Sequence, residues 1–161
     1  MPLLVRGPGI TAGRSIDQLA SNIDLAPTIA ALAGVPIPNF VSGRSLVPLL
    51  QGSQPRTWRK ATISQFYRED KGDSAELSSE AVVDQPGAPS FLALRTLNRA
   101  YVEYVTGERE LYDLANDPHQ LRNLASESGY AAEVDRFHAW LDAFRACSGQ
   151  TCRTVENRPP S

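Results

Sequence analysis

The sequence predicts an α/β fold that passes into an α+β fold along the chain. Two features favour α/β structure at the start, the apolar run at residues 2–5 and the almost wholly apolar segment 22–34. A third feature, a series of short strand-like runs followed by an amphipathic helix, predicts a small antiparallel sheet covered by a C-terminal helix. We therefore divide the chain into residues 1–55 and residues 56–161.

Composition narrows the class of protein. The 161 residues are 42% hydrophobic and 21% charged, as in ordinary globular domains. The formal net charge of −2 gives no electrostatic reason to expect a nucleic acid partner. No run approaches the roughly 20 apolar residues of a membrane span. The opening MPLLVRGPGI lacks a basic leader region, so we expect no signal peptide in this chain.

The first strand is predicted from PLLV at residues 2–5, which Arg6-Gly7-Pro8-Gly9 ends. A short continuous apolar run is typical of a strand buried on both faces of a parallel sheet. Residues 16–21 form a possible second strand. Parallel strands need crossover partners, and this part of the sequence offers no second βα unit. We expect the chain to begin inside a larger α/β sheet whose other strands are absent.

A buried helix is predicted after residue 22. Asn22 and Asp24 are both good N-caps, Pro27 fits the first turn, and Gly34 can end the helix in a left-handed conformation. A helix that is apolar on nearly every face must be covered on nearly every face. A shorter helical piece, SLVPLL, follows with Ser45 as its cap.

The pattern becomes antiparallel from Trp58 onward. A long polar surface excursion is expected at residues 68–90 and a short capped helix at residues 117–120. Four short runs read as strands of a meander. They are residues 61–66, 91–97, 101–105 and 110–114.

The last helix has the clearest periodicity. Steps of four, three, four and three residues place five apolar side chains on one stripe. They are Tyr130, Val134, Phe137, Leu141 and Phe144. This helix, laid across the meander, would complete a two-layer unit.

Residues with obvious chemistry are few. Cys147 and Cys152 flank a tight loop containing Gly149, which suits either a short disulfide in an oxidising compartment or two free thiols. Two sulfurs are too few for a metal site. His138 lies beside the apolar stripe and His119 in a solvated turn. No paired carboxylates or phosphate-binding loop stand out, so we predict no catalytic residue and no metal ligand in this chain.

Taken together, several motifs resemble a known family. PLLVRGPGI, SNIDLAPTIAALAG, GRSLVPLLQG and LYDLANDPHQLRNLA, in this order, resemble the C-terminal portion of sulfatases. The tail FRACSGQTCRT is most similar to the N-acetylglucosamine-6-sulfatase branch of that family. The resemblance implies part of the alkaline-phosphatase-like sulfatase sheet at residues 1–55, followed by the C-terminal sulfatase subdomain.

The resemblance also implies an activity, the metal-dependent hydrolysis of sulfate esters on glycans. In such enzymes a cysteine in a C-x-P-S-R motif becomes formylglycine, and carboxylates with an Asn hold calcium. These motifs lie upstream of the matching region, and neither Cys147 nor Cys152 fits the modification motif. Calcium and formylglycine are therefore expected only in a full-length member, and a secreted or extracytoplasmic location is implied.

Substrate contacts are implied at one place only. Gln65, Tyr67 and Arg68, at the end of the first antiparallel strand, correspond to the rim of the family's active-site cleft. An acidic residue is common near Gln65 in the family, which weakens that role for Gln65. The alternative is a sheet edge that binds no ligand.

Two functional hypotheses follow. The first is the C-terminal fragment of a glycan sulfatase, inactive alone, which meets a sulfated glycan once an N-terminal half completes it. The second is a non-catalytic binding or complementation module that docks on a separately encoded N-terminal half through its exposed apolar surface.

Overall fold

The computed structural model describes residues 3–53, 55–68 and 88–159. The strands are β1 (Thr62–Phe66), β2 (Phe91–Arg95), β3 (Arg99–Tyr104) and β4 (Arg109–Asp113). The α-helices are α1 (Leu25–Leu32), α2 (Val47–Leu50), α3 (Ala131–Ala146) and α4 (Gln150–Asn157), and short 3-10 helices span Asn22–Asp24 and Ser128–Tyr130. The excursion predicted at residues 68–90 lies mostly outside the described residues.

The four strands form one antiparallel sheet in the order β1-β2-β3-β4. The predicted meander is therefore confirmed, with strand ends that differ by one or two residues. The register sets Leu94 opposite Tyr101, and Tyr101 opposite Leu111. All three side chains are fully buried on the face that α3 covers, because residues directly paired across strands share a face.

Helix α3 covers this face as its periodicity predicts. Val134, Phe137, Leu141 and Phe144 are buried in the main core, and Trp140 joins them. The rings of Tyr101 and Phe137 lie 5.6 Å apart, which joins helix to sheet. Tyr130 packs against this core from its edge. The two-layer unit is thus held by one continuous apolar cluster.

Helix α1 forms where it is predicted, but its predicted burial is wrong. Gly34 ends the helical region with φ of 70°. Only Pro27 and Thr28 of the helix are buried, whereas Ile29 is 66% and Leu32 is 58% exposed. The reason is that α1 packs on its neighbours through one narrow side, and the apolar remainder faces outward.

The predicted strands before α1 are also wrong. Residues 3–5 are not in a strand, and Leu4 is 92% exposed. Residues 16–21 are irregular as well. A strand is defined by ladder hydrogen bonds to a neighbour, and the single sheet of the described residues does not reach this segment. The parallel part of the predicted fold is therefore not formed among the described residues.

Helix α2 is confirmed, but the predicted Ser45 cap is wrong, because Leu46 occupies the N-cap position. Ser45 instead accepts a hydrogen bond from the Val47 amide at 3.2 Å, two residues along the chain. The helix predicted at residues 117–120 is wrong. Gln120 has φ of 56°, a left-handed conformation that stops helix propagation. The Asp117 carboxylate accepts a hydrogen bond from the Arg122 amide at 2.9 Å, so it closes a turn rather than capping a helix.

Helix α4 was not predicted. It begins after Gly149, whose φ is 53°, and it packs beside α3. The Trp140 indole donates to the Val155 carbonyl at 2.8 Å, which ties the two helices together. Among the described residues, no helix combines the length and apolar character needed to cross a bilayer.

Candidate functional site

The predicted rim lies at one corner of the sheet, where the edge strand β1 ends. Gln65 pairs with Leu92 and is exposed, and Tyr67 is 74% exposed just beyond the strand. The Arg68 amide donates to the Ser90 hydroxyl at 2.9 Å, which closes this corner against the start of β2. The structure therefore places Gln65, Tyr67 and Arg68 together on the surface, as the sequence predicts for neighbours in the chain.

A buried acidic cluster stands two strands away from Gln65, in the same row of the sheet. Glu103, 9% exposed, accepts hydrogen bonds from the Tyr101 hydroxyl at 2.6 Å and from Arg145 at 2.8 Å. It also contacts His138 Nδ1, and Arg109 Nε lies 3.5 Å from it. One carboxylate thus joins β3 to two positions of α3.

The electrostatics of this cluster are those of a structural anchor. Burial opposes ionisation of Glu103, but hydrogen bonds from Tyr101, Arg145 and His138 outweigh burial and hold its pKa below the ordinary value. Burial, followed by the hydrogen bond to Glu103, raises the pKa of Tyr101 above its ordinary value. A carboxylate with a low pKa is a poor base and a phenol with a high pKa is a poor acid. These shifts fit a carboxylate that joins β3 to α3.

A second buried cluster fixes the start of α1. The guanidinium of Arg59 makes two hydrogen bonds to Asp24, at 2.7 and 2.6 Å, and both side chains are fully buried. Asp24 also accepts from the amides of Ser21 and Arg44, each at 2.8 Å. The backbone at Gly43 can lie this close to Ile23 and Asp24 because glycine has no Cβ, and a Cβ there would meet the Ile23 carbonyl oxygen at 2.0 Å. Asp24 thus occupies the N-cap position of α1, but its carboxylate makes no capping hydrogen bond to that helix and acts as an ion-pair partner instead.

Glu156 on α4 extends this second cluster. It lies 3.3 Å from Arg59 Nε and 3.0 Å from Arg44 Nε. Burial raises the pKa of Glu156 above its ordinary value despite the attraction of both arginines. Burial likewise lowers the pKa of Arg44. The network fastens the N-terminal segment to the end of the chain.

Sequence reasoning missed both clusters. Asp24 and Arg59 are 35 residues apart, and Glu103 and Arg145 are 42 apart. Neither spacing matches a helical or strand period, so no local pattern indicates either pair. The one available signal was the charge of Asp24 inside an otherwise apolar segment, which a cap already explained.

An apolar groove opens beside α1. Its volume is about 1090 Å³, and it lies between residues 3–25 and helix α2. Leu25, Leu46 and Leu50 line one side, and Ile10 and Ile16 the other. Most of the surface that lines the groove is apolar.

The disulfide is confirmed. Cys147 and Cys152 are bonded with an S–S distance of 2.01 Å, and the described residues hold no other cysteine. The residues that the structure describes contain no group of three or more His, Cys, Asp or Glu side chains that could hold a metal ion. With both thiols in a disulfide, no cysteine is available for formylglycine. The described residues therefore do not fit calcium or formylglycine.

Comparison with known proteins decides the family. Residues 1–146 match the family described as N-sulphoglucosamine sulphohydrolase, C-terminal. The chain belongs to the sulfatase family. It is 31% identical to bovine (Bos taurus) N-acetylglucosamine-6-sulfatase over 96% of this chain and 30% of that protein. It is 32% identical to N-acetylglucosamine-6-O-sulfatase of Bacteroides thetaiotaomicron over 81% of this chain and 22% of that protein.

Solved structures of longer hydrolases share the fold of this chain. A 2-O glycosaminoglycan sulfatase superposes with a TM-score of 0.69 over 96% of this chain and 33% of that one, and at 24% identity it shows the fold alone. Phosphonate monoester hydrolase from Silicibacter pomeroyi superposes with a TM-score of 0.70 at 29% identity, over 90% of this chain and 29% of that one. This sulfatase-family chain thus spans about a third or less of its relatives.

Proposed function

We propose that this chain is the C-terminal part of a glycan sulfatase similar to N-acetylglucosamine-6-sulfatase. Residues 1–55 would belong to the α/β domain of the whole enzyme, and residues 56–161 would form its C-terminal subdomain. The observation that carries this proposal is the match to bovine N-acetylglucosamine-6-sulfatase, which covers 96% of this chain and only 30% of that protein. The reaction proposed for the whole enzyme is hydrolysis of a sulfate ester on a glycan.

The distribution of exposed apolar residues supports the division. Among the described residues, nine of the fourteen exposed large hydrophobic side chains fall within residues 3–40. Contiguous apolar surface of this kind marks an interface. In the proposed whole enzyme, further strands and helices cover α1 and the groove.

The catalytic groups are proposed to lie outside this chain. Formylglycine would supply the nucleophile and calcium would polarise the sulfate, but the described residues fit neither group. The chain's own contribution is then structural support and part of the substrate rim. The disulfide supports a secreted or extracytoplasmic location, because such bonds persist in oxidising compartments.

The rim residues are proposed to contact the glycan. Arg68 offers a planar cation, which suits the oxygens of a sulfate group. Tyr67, 74% exposed, offers a ring face and a hydroxyl. Gln65 lies one residue pair inside the strand and would bind a sugar hydroxyl.

DNA sequencing tests the fragment hypothesis directly. An open reading frame that continues upstream in frame and encodes a C-x-P-S-R motif supports a single longer enzyme. The purified chain alone should then show no turnover of an aryl sulfate with added calcium. Turnover by this chain alone, abolished by a chelator, would contradict the proposal.

A second function uses the same apolar surface. The chain could act as a complementation module for a separately encoded N-terminal half. A stop codon directly upstream, together with restored sulfatase activity on co-expression with that half, would favour the second function over the first. In either active assembly, Tyr67→Ala and Arg68→Ala should raise KM, whereas Arg122→Ala, an exposed arginine paired with Glu127, should not.

A further inference from the structure

The sheet face opposite α3 carries three rows of side chains, which we name the open face. The aromatic row is Phe66, Phe91 and Tyr104. The middle row is Ser64, Ala93, Val102 and Glu110, and the outer row is Thr62, Arg95, Ala100 and Tyr112. No member of these rows belongs to either hydrophobic core cluster of the described residues.

The aromatic row is continuous across three strands. The rings of Phe66 and Phe91 stack with centroids 5.5 Å apart, and Tyr104 meets Phe91 edge-on at 5.8 Å. Three neighbouring strands span about 10 Å, since adjacent strands are about 4.8 Å apart. Phe66 is 42% exposed, so the row presents aromatic surface to solvent.

The middle row makes a shallow trough beside these rings. Ser64 and Ala93 are small, and side chains on one face of a strand repeat every two residues, or about 7 Å. The trough ends at Glu110, which accepts a hydrogen bond from the Tyr104 hydroxyl at 3.2 Å.

The outer row adds charge on the far side of the trough. Arg95 is exposed, and its side chain makes no ion pair or hydrogen bond within the described ranges. Burial, followed by the nearby Glu110, raises the pKa of Tyr112 to about 12, so this hydroxyl stays protonated as a donor. The face therefore combines an apolar wall with an unpaired cation, an acceptor and a donor.

We propose that the open face binds one pyranose residue of a sulfated glycan. The ring's apolar C–H face would stack on Phe66 and Phe91, its sulfate would lie toward Arg95, and a hydroxyl would meet Glu110. This site is separate from the rim residues, and only its choice of a sulfated sugar rests on the proposed function.

A sugar suits this face better than an apolar protein surface does. An apolar helix seated here would bury the guanidinium of Arg95, which has no partner among the described residues, and a buried charge without a partner is costly. A sulfated pyranose has one apolar face and a polar rim. It therefore covers the rings and leaves each polar group with a partner.

Binding of a defined probe to the whole chain tests the proposal. The probe is a glucosamine tetrasaccharide with 6-O-sulfate groups, and its desulfated form is the matched control. Saturation-transfer difference NMR should show the strongest transfer to axial C–H protons. Phe66→Ser should weaken binding about tenfold, and Arg95→Gln should remove the preference for the sulfated probe. Leu121→Ser, at an 85% exposed position off the sheet, should bind like the wild type.

Several results would overturn the proposal. The first is equal affinity of the wild type and Phe66→Ser for the sulfated tetrasaccharide. A wild-type dimer that Phe66→Ser converts to a monomer is another, because the face would then join two copies of the chain. Binding is measured without hydrolysis, so loss of sulfatase activity in a completed enzyme leaves this test intact. Circular dichroism of each variant checks the fold, and Arg95→Gln, a change at an exposed position, tests the site even if an aromatic variant unfolds.

Discussion

A buried ion pair joins the start of α1 to the segment that precedes β1. Asp24 and Arg59 are both fully buried and form a bidentate pair. Replacing both members of such a pair with well-packed apolar residues often changes stability little. Removing one member alone is destabilising, because the other charge stays buried without it. Asp24 is therefore a position where one substitution has a large effect.

Asp24→Ala should lower the free energy of unfolding by about 3–5 kcal/mol, because the buried Arg59 would lose both hydrogen bonds to Asp24 and keep only the weaker contact with Glu156. Urea denaturation at neutral pH measures the change. Asp17→Ala, at an exposed aspartate, is the control and should change the value by less than about 0.5 kcal/mol. A loss below about 1 kcal/mol for Asp24→Ala would show that Arg59 finds solvent or Glu156 instead.

Glu103 should make stability depend on acid pH. Its pKa is lower in the folded chain than the ordinary value of about 4.3. The unfolded chain therefore binds the proton first, and the stability that Glu103 contributes is present above about pH 4.3 and is lost as the pH falls through the folded pKa.

Glu103→Gln should therefore flatten the fall in unfolding free energy between pH 5 and the acid limit. Tyr101→Phe, which removes one hydrogen-bond donor to Glu103 but keeps the ring, should flatten it partly. Urea titrations at several pH values compare the slopes. Identical slopes for Glu103→Gln and the wild type would assign the acid sensitivity to other carboxylates.

At the scale of elements, α4 is the piece that connects the two parts of the fold. Arg153 donates to the carbonyls of Val41, Ser42 and Gly43 at 3.1, 3.3 and 2.6 Å. The Lys60 amide donates to the Glu156 carbonyl at 2.9 Å, next to the start of β1. The disulfide at the start of this short helix restricts the unfolded chain and keeps the α3–α4 corner closed.

Cys147→Ser/Cys152→Ser should lower the free energy of unfolding by about 2 kcal/mol, the loop-closure value for so short a loop. Hydrogen exchange should quicken first in residues 150–157, because α4 loses its covalent tie to α3. Mass spectrometry of exchanged peptides follows this directly. Unchanged exchange in α4 would mean that the Arg44 and Arg153 contacts alone hold the helix.

At the scale of the whole molecule, apolar exposure is concentrated in the first 40 residues. Ile29 and Leu32 on α1, and Leu4 before it, are each more than half exposed. The sheet and α3, in contrast, enclose their own core. The molecule thus has one sheet-and-helix unit that encloses its own core, and one N-terminal segment whose apolar side chains are exposed.

Ile29→Glu should leave the unfolding free energy within about 0.5 kcal/mol of the wild type, since the position is exposed. It should reduce self-association in light scattering and prevent assembly with an N-terminal sulfatase half. Leu121→Glu, equally exposed but outside this segment, serves as the comparison. Assembly of Ile29→Glu as efficient as that of the wild type would place the interface elsewhere.

Local sequence patterns were sufficient to predict the strands and the main helix in the C-terminal half of the fold. The four-three spacing of Val134, Phe137, Leu141 and Phe144 predicts α3, and short alternating runs predict the meander, because both signals arise between neighbours in the chain. The family, the α1 and α2 helices and the Cys147–Cys152 pair were also accessible from order and spacing. The proposed rim residues are adjacent in sequence, so their proximity required no structure.

Only the tertiary structure shows which side chains of the N-terminal segment are exposed. Apolar residues in a strand-like run predict burial, but Leu4 is exposed because the described residues provide no paired strand beside it. The Asp24–Arg59 and Glu103–Arg145 pairs join distant parts of the chain, and no local period encodes such distances. The sequence by itself determined the family and the local elements, whereas long-range packing determined which apolar faces were covered and which charges were buried.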